Sequence, residues 1–271
     1  GLLSSTAASW DKDVGRFKGR KPWLEALGER MLNLDSYQSP FVFVEGAEGS
    51  GRVFDSAAGY GRGGSETYAG QWAQEDGFAD DIFWATKVNV AGRGGSSADP
   101  QSVRAQIERS FERLGVPVID LNQVHNMGDP PTQLGILQEY KESGRIRHIG
   151  ITTTNETQYG ALARVMREYP VDFIGIDYAI DNRLAEEQIF PLAQDEGIAV
   201  MVYLPFGRSR MWRRIGDRPL PEWATEFDAH SWAQFMLKFV VAHPEVIVVV
   251  PGTGDPQHMV DNLGGGRGRL P

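Results

Sequence analysis

The chain has 271 residues, more than most domains but within reach of one α/β barrel, which runs to about 250 residues; a single barrel domain over 1–271 is the expectation. Hydrophobic residues make up 41% and charged residues 23%, the balance of a folded globular protein, and the formal net charge of −9 argues against a nucleic-acid partner, with no unbroken run of three Lys/Arg ahead of the short Gly/Arg tail Gly264–Arg269. Cysteine is absent, which excludes disulfides, thiolate nucleophiles and Cys-ligated metals, and apolar runs such as Val246–Val250 fall far short of the ~20 residues of a membrane span.

The first fifty or so residues read irregularly. Leu2–Trp10 is the only place for a strand ahead of the amphipathic Pro22–Leu32 segment, although its Ser and Ala are poor strand formers. Asn33–Ser50, with Phe41-Val42-Phe43-Val44, reads as an insertion with a hairpin of its own. From Arg52 onward short β-branched runs alternate with amphipathic stretches, the mark of βαβ units and a parallel sheet. Strands are predicted at Arg52–Asp55, Asp81–Val88, Val118–Val124, Ile146–Ile151, Val171–Asp177, Ile198–Tyr203 and Val246–Val250. Gly92–Ser97 reads as a flexible loop. Beyond it, Asp99-Pro100 supplies an N-cap and a first-turn proline, and Val103, Ile107, Phe111 and Leu114 share one face until Gly115 stops the helix. Further helices are predicted at Pro131–Ser143, Asn155–Glu168, Leu184–Glu196 and roughly Asp228–Ala242. Short links between such units favour a closed (β/α)8 TIM barrel, and no G-x-G-x-x-G turn supports the doubly wound alternative.

A barrel builds its active face from the loops after the strand C-termini. Asp55 and Tyr60 follow the second strand, Lys87 lies in the third and His125 follows the fourth. Each alone has an ordinary explanation: a turn carboxylate, a packed aromatic, a solvated lysine, a hydrogen-bonded histidine. Together they can do chemistry. A phenol, with an unperturbed pKa of about 10, is a poor acid at neutral pH unless a neighbouring cation favours its phenolate. Lys87 offers that cation, Asp55 a carboxylate to hold it, and His125 a group to position a substrate oxygen. Proton donation to a developing alkoxide, with no nucleophilic residue in view, implies hydride delivery and hence a redox cofactor.

These residues carry a family resemblance that covers most of the chain. Phe54-Asp55-Ser56-Ala57-Ala58-Gly59-Tyr60-Gly61 with Glu66, Ala85-Thr86-Lys87, Arg113-Leu114-Gly115 and Ile119–His125 resemble segments of the aldo-keto reductases, as do Ser143–Thr152, Pro191–Gln194 with Gly197–Val200, and Val250–Gly254 with Asp261-Asn262-Leu263. The resemblance implies an NAD(P)H-dependent oxidoreductase that reduces an aldehyde or ketone. Tyr60 would be the general acid, Lys87 and Asp55 its tuning pair, and His125 the orienter of the carbonyl. It also implies a cofactor site: Thr152 and Thr153 near the nicotinamide carboxamide, Tyr203 stacked on the ring, Leu204, Phe206 and Gly207 beside the pyrophosphate, and Gly252, Thr253, Gly254, Gln257 and Asn262 around the adenosine end. A helix start near Gly254–Asp255 would suit an anionic phosphate.

Three departures qualify the resemblance. Thr152-Thr153 stands where many members have Ser-Asn, Gly175 where they have Gln, and the basic residues that often grip a 2′-phosphate are absent from Gly252–Gln257. NADPH is the implied cofactor and NADH an alternative. The altered amide contacts also motivate a second reading, a cofactor-binding sensor with little or no turnover. A third, a hydrolase using Asp120 and Asp177, requires two free carboxylates at strand ends. No histidine spacing suggests a metal. Trp10, Trp84, Phe206 and Trp212 are candidates for an aromatic pocket lining suited to a small apolar carbonyl compound. A monomer is the default the resemblance brings, and the cytoplasm is the expected location, with processing ahead of Gly1 and export as the alternative.

Overall fold

A computed structural model describes residues 43–46 and 53–271, apart from Gly94 and Ser96. Seven parallel strands form where the alternation places them: β2 (Val53–Asp55), β3 (Phe83–Val88), β4 (Ile119–Val124), β5 (Ile146–Thr153), β6 (Phe173–Asp177), β7 (Ala199–Tyr203) and β8 (Val246–Val250). With β1 (Phe43–Gly46) they close a barrel in sequence order. Leu2–Trp10, the predicted first strand, lies outside the described residues. The insertion reading of Asn33–Ser50 is corrected for its strand, which pairs not within the segment but antiparallel to β2 (Phe43↔Phe54) and to β8 (Glu45↔Val249). The physical reason is that β2 and β8 would otherwise each present an unpaired edge.

Strand alternation sorts the core into two layers. Val53, Ala85, Leu121, Phe173, Met201 and Val248 point into the barrel. Phe54, Trp84, Ile149, Ile174 and Val200 point outward under the helices. Trp84 is therefore no pocket residue: it is 2% exposed, and its indole donates to the Ala79 carbonyl at 3.0 Å.

The helices follow their caps. Helix α1 (Gly64–Glu75), which its glycine-rich entry hides in the sequence, precedes α2 (Pro100–Leu114). In α2 the Asp99 carboxylate accepts from the Ser102 amide at 2.8 Å, and Gly115 ends the helix at φ 68°. Next come α3 (Pro130–Glu142), α4 (Tyr159–Glu168), α5 (Ala185–Glu196), α6 (Arg210–Ile215), α7 (Trp232–Val241) and α8 (Pro256–Leu263). Helix α7 starts later than its periodicity suggests because Ser231 caps it, accepting from the Gln234 amide, while Glu222–Phe227 forms a separate 3-10 turn. Lys238, fully buried in α7, donates to the carbonyls of Arg267 and Arg269. Arg269 pairs with Asp228 at 3.1 Å, so the C-terminal glycine-arginine segment packs against the barrel. Among the described residues no helix is long and apolar enough to cross a membrane.

Candidate active site

Parallel register brings the four sequence-selected side chains to one mouth. Asp55 ends β2 beside Ala85 of β3, Lys87 of β3 faces Gln123 of β4, and His125 follows β4 directly. Lys87 Nζ lies 2.5 Å from Asp55 Oδ2 and 2.6 Å from the Ser56 carbonyl, with both charged groups buried. Two of its three donors are thereby taken. Burial pushes the Asp55 carboxyl above its ordinary value, against the pull of the Lys87 charge and of hydrogen bonds from Lys87 and Tyr203. The ammonium sits 5.3 Å from the Tyr60 ring centre. Tyr60 and His125 meet edge-on, centroids 5.8 Å apart at 81°. Burial first, then the Lys87 and Arg93 charges, lower the His125 imidazole to about 3, so it is neutral near pH 7 and presents one N–H.

The loop carrying Tyr60 is held from behind. Gly61, Arg62 and Gly63 all adopt left-handed backbone, with φ of 56°, 57° and 94°. At φ 94° a residue other than glycine would be strained at 63, and its Cβ, 2.2 Å from the Arg113 guanidinium carbon, would have to push that guanidinium aside. Arg113, reaching over from α2, donates to the Ala58 carbonyl at 3.1 Å and to Glu66 Oε2 at 3.2 Å. The fully buried Glu66 accepts from the Thr86 hydroxyl at 2.6 Å. Three sequence segments quoted above thus lock together around the phenol, through two side chains to which sequence reasoning assigned no role.

The mouth encloses a cavity of about 350 Å³. Of the predicted cofactor residues, Thr152, Tyr203, Leu204, Phe206 and Gly252 line it alongside the four polar residues. Arg93, Asn126, Thr154 and Arg208 line it too, and sequence reasoning missed them; the predicted flexibility of Gly92–Ser97 and an ordinary-looking loop gave no signal. Thr153 is not brought to the cavity. Strand alternation turns it away, and its hydroxyl donates to Gln158 Oε1 at 2.6 Å and accepts from the Asn155 amide at 3.1 Å. Gly207, Thr253, Gly254, Gln257 and Asn262 also lie outside the lining. The expected helix start is present at α8, but its Gln257 amide already donates to the capping Asp255 carboxylate at 2.8 Å.

Leu204, Gly207, Arg208 and Ser209 all have positive φ, a concentration of uncommon backbone in the loop after β7. In that loop Arg208 donates to the Thr154 carbonyl, and Trp212 packs against Phe206 with centroids 5.1 Å apart and the rings tilted by 52°. Asp120 and Asp177 are engaged elsewhere: Asp120 takes the Trp84 amide at 2.8 Å and Arg147 at 2.5 Å, and Asp177 takes the Tyr159 hydroxyl at 3.0 Å and Asn182 at 2.9 Å. Neither is the free carboxylate that hydrolysis requires.

Comparison with known proteins follows the same lines. Residues 45–270 match the family described as Aldo/keto reductase. The chain is 30% identical over 210 residues to an NADH-specific methylglyoxal reductase of Escherichia coli (strain K12), covering 69% of this chain and 62% of that protein. It is 24% identical over 261 residues to the aldo-keto reductase yakc [NADP(+)] of Schizosaccharomyces pombe (strain 972 / ATCC 24843), covering 82% and 76%. The solved holo form of an aldo-keto reductase from Bacillus halodurans superposes with a TM-score of 0.65 at 25% identity, covering 83% of this chain and 80% of that one.

Proposed function

The chain belongs to the aldo/keto reductase family, and from that premise we propose that it reduces an aldehyde or ketone to an alcohol with NADPH or NADH as the electron source and Tyr60 as the proton donor. The observation that carries this reading is the buried Lys87–Asp55 pair, its ammonium 5.3 Å from the Tyr60 ring centre, with the neutral imidazole of His125 edge-on to the same ring at 5.8 Å.

The residues present fit a nicotinamide cofactor at one end of the cavity. The Tyr203 ring and Thr152 line the cavity together, and Arg208 offers a cation in the positive-φ loop where an anionic pyrophosphate would run. Tyr203, Leu204, Phe206 and Gly252 would hold the cofactor, with Gly207, Thr253, Gly254, Gln257 and Asn262 in the adjoining segments. When bound, the dihydronicotinamide supplies a hydride. The chain's own residues do the rest. The His125 N–H and the Tyr60 hydroxyl direct the substrate oxygen, Tyr60 gives its proton to that oxygen as negative charge grows there, and the Lys87 ammonium stabilises the phenolate left behind. Asp55 keeps the ammonium charged and aimed. Phe206, packed on Trp212, adds an apolar wall suited to a small carbonyl compound.

The test is Tyr60→Phe, which deletes the proton and little else. Turnover of a reactive aromatic aldehyde, followed by cofactor absorbance, should fall by at least about a hundredfold, while cofactor binding, followed by tryptophan fluorescence, stays within about twofold. Undiminished turnover in the variant refutes the role given to Tyr60, and a wild-type protein that binds neither nucleotide refutes the reductase reading.

A further inference from the structure

Gly175 sits mid-strand in β6, paired with Thr152 on β5 and Met201 on β7. A Cβ added there would lie 2.3 Å from Cε2 of Tyr203 and 2.8 Å from Cγ2 of Thr152. The Tyr203 ring therefore rests on bare backbone, in space that any side chain at 175 would claim. From that position its hydroxyl donates to Asp55 Oδ1 at 3.1 Å and accepts from Gln123 Nε2 at 3.1 Å. The two oxygens of Asp55 are thus divided, one to Lys87 and one to Tyr203. Lys87 Nζ lies 5.1 Å from the Tyr203 ring centre and 5.3 Å from that of Tyr60, between two phenols with different duties.

We propose that Tyr203 is a positioning residue for proton transfer: its hydroxyl, admitted by the missing side chain at Gly175, anchors Asp55 and through it sets the ammonium of Lys87 beside Tyr60. The inference rests on the reading of Tyr60 as the acid. Burial, then the Asp55 charge, hold the Tyr203 phenol well above its ordinary value, so it remains a donor at every working pH. The bare backbone at Gly175 thereby links the pocket's aromatic wall to the acid. A ring displaced by whatever occupies the pocket would pull on Asp55.

The contrast to draw is with a Tyr203 that merely fills space. Tyr203→Phe keeps the ring and deletes the bond to Asp55; Gly175→Ala keeps the hydroxyl and pushes the ring off its seat. In either variant the Asp55 charge falls undivided on Lys87, the field at Tyr60 becomes less positive, and Tyr60 gives up its proton at a higher pH. The titratable or charged groups sharing the cavity with Tyr60 are Asp55, Lys87, Arg93, His125, Tyr203 and Arg208, and only the division of the Asp55 charge is altered by design.

Phenolate absorbance of the cofactor-free protein, differenced against the matching Tyr60→Phe protein, reads the Tyr60 titration without any turnover. Its midpoint is expected to rise by about half to one pH unit in both variants, and kcat for an aromatic aldehyde near neutral pH to fall by about three- to tenfold, with KM for the nicotinamide nucleotide within about twofold in Tyr203→Phe, which keeps the ring in place. An unmoved Tyr60 midpoint in Tyr203→Phe overturns the proposal, as does a loss expressed only in nucleotide KM, which would leave Tyr203 a stacking wall. A shifted midpoint in a protein that reduces no carbonyl supports the coupling while refuting the reductase reading, so the two failures are distinct.

Discussion

Acid should cost this protein stability through His125, by an amount that follows from the site's geometry. The imidazole, ordinarily near 6.5, is held at about 3 by burial and by the Lys87 and Arg93 charges. The folded protein therefore takes up this proton far later than the unfolded chain does. Because the folded value is depressed, the contribution is present in full above the unfolded value of 6.5 and is lost progressively as pH falls towards about 3. At about pH 5 the unfolded imidazole is about 1.5 units past its midpoint while the folded one is still neutral, which amounts to roughly 2 kcal/mol at about 1.4 kcal/mol per unit. This figure depends little on the depressed value itself, provided that value stays below about 4. Urea unfolding of wild type and His125→Gln at about pH 8 and about pH 5 isolates the term, since every other titrating group is common to both proteins. Wild type should lose about 2 kcal/mol more than the variant on acidification. Parallel losses would show that His125 protonates freely in the folded protein, and the neutral imidazole assigned to substrate orientation would fall with that result.

Two further predictions concern supports of the site and of the barrel. Glu66→Ala leaves the Arg113 guanidinium and the buried Thr86 hydroxyl without their carboxylate and should cost about 3 kcal/mol in chemical denaturation; because Arg113 also holds the Ala58 carbonyl, kcat should fall further than KM rises. Lys238→Met retains the bulk in α7 but frees the carbonyls of Arg267 and Arg269, with an expected loss of about 2 kcal/mol and faster proteolytic trimming of the C-terminus; resistance equal to wild type would refute the anchoring role.

What the sequence made legible was whatever local chemistry decides. β8 occupies Val246–Val250 as read, because an unbroken β-branched run has no competing period. α2 begins at Pro100 and ends at Leu114 as read, because Asp99, Pro100 and Gly115 punctuate it. The polar residues at the strand ends converge because parallel strands place their C-termini at one end of the barrel. Facing was harder to read. Thr152 and Thr153 are equivalent on paper, yet the pleat sends one to the cavity and the other to Gln158. Trp84 looks like a pocket aromatic until the register turns it outward. Gly175 reads as a lost contact, and only the three-dimensional path of Tyr203 gives the vacancy a use.

The short strand β1 also bears on how copies of this chain would behave together. It divides its pairing, Phe43 and Val44 to β2 and Glu45 and Gly46 to β8, so four residues seal both margins of the parallel sheet. Were it to detach, β2 and β8 would offer unsatisfied amides and carbonyls, the second of them along a wholly apolar Val-Ile-Val-Val-Val run. Shelf life in concentrated solution, more than catalysis, would then be governed by how firmly those four residues stay seated.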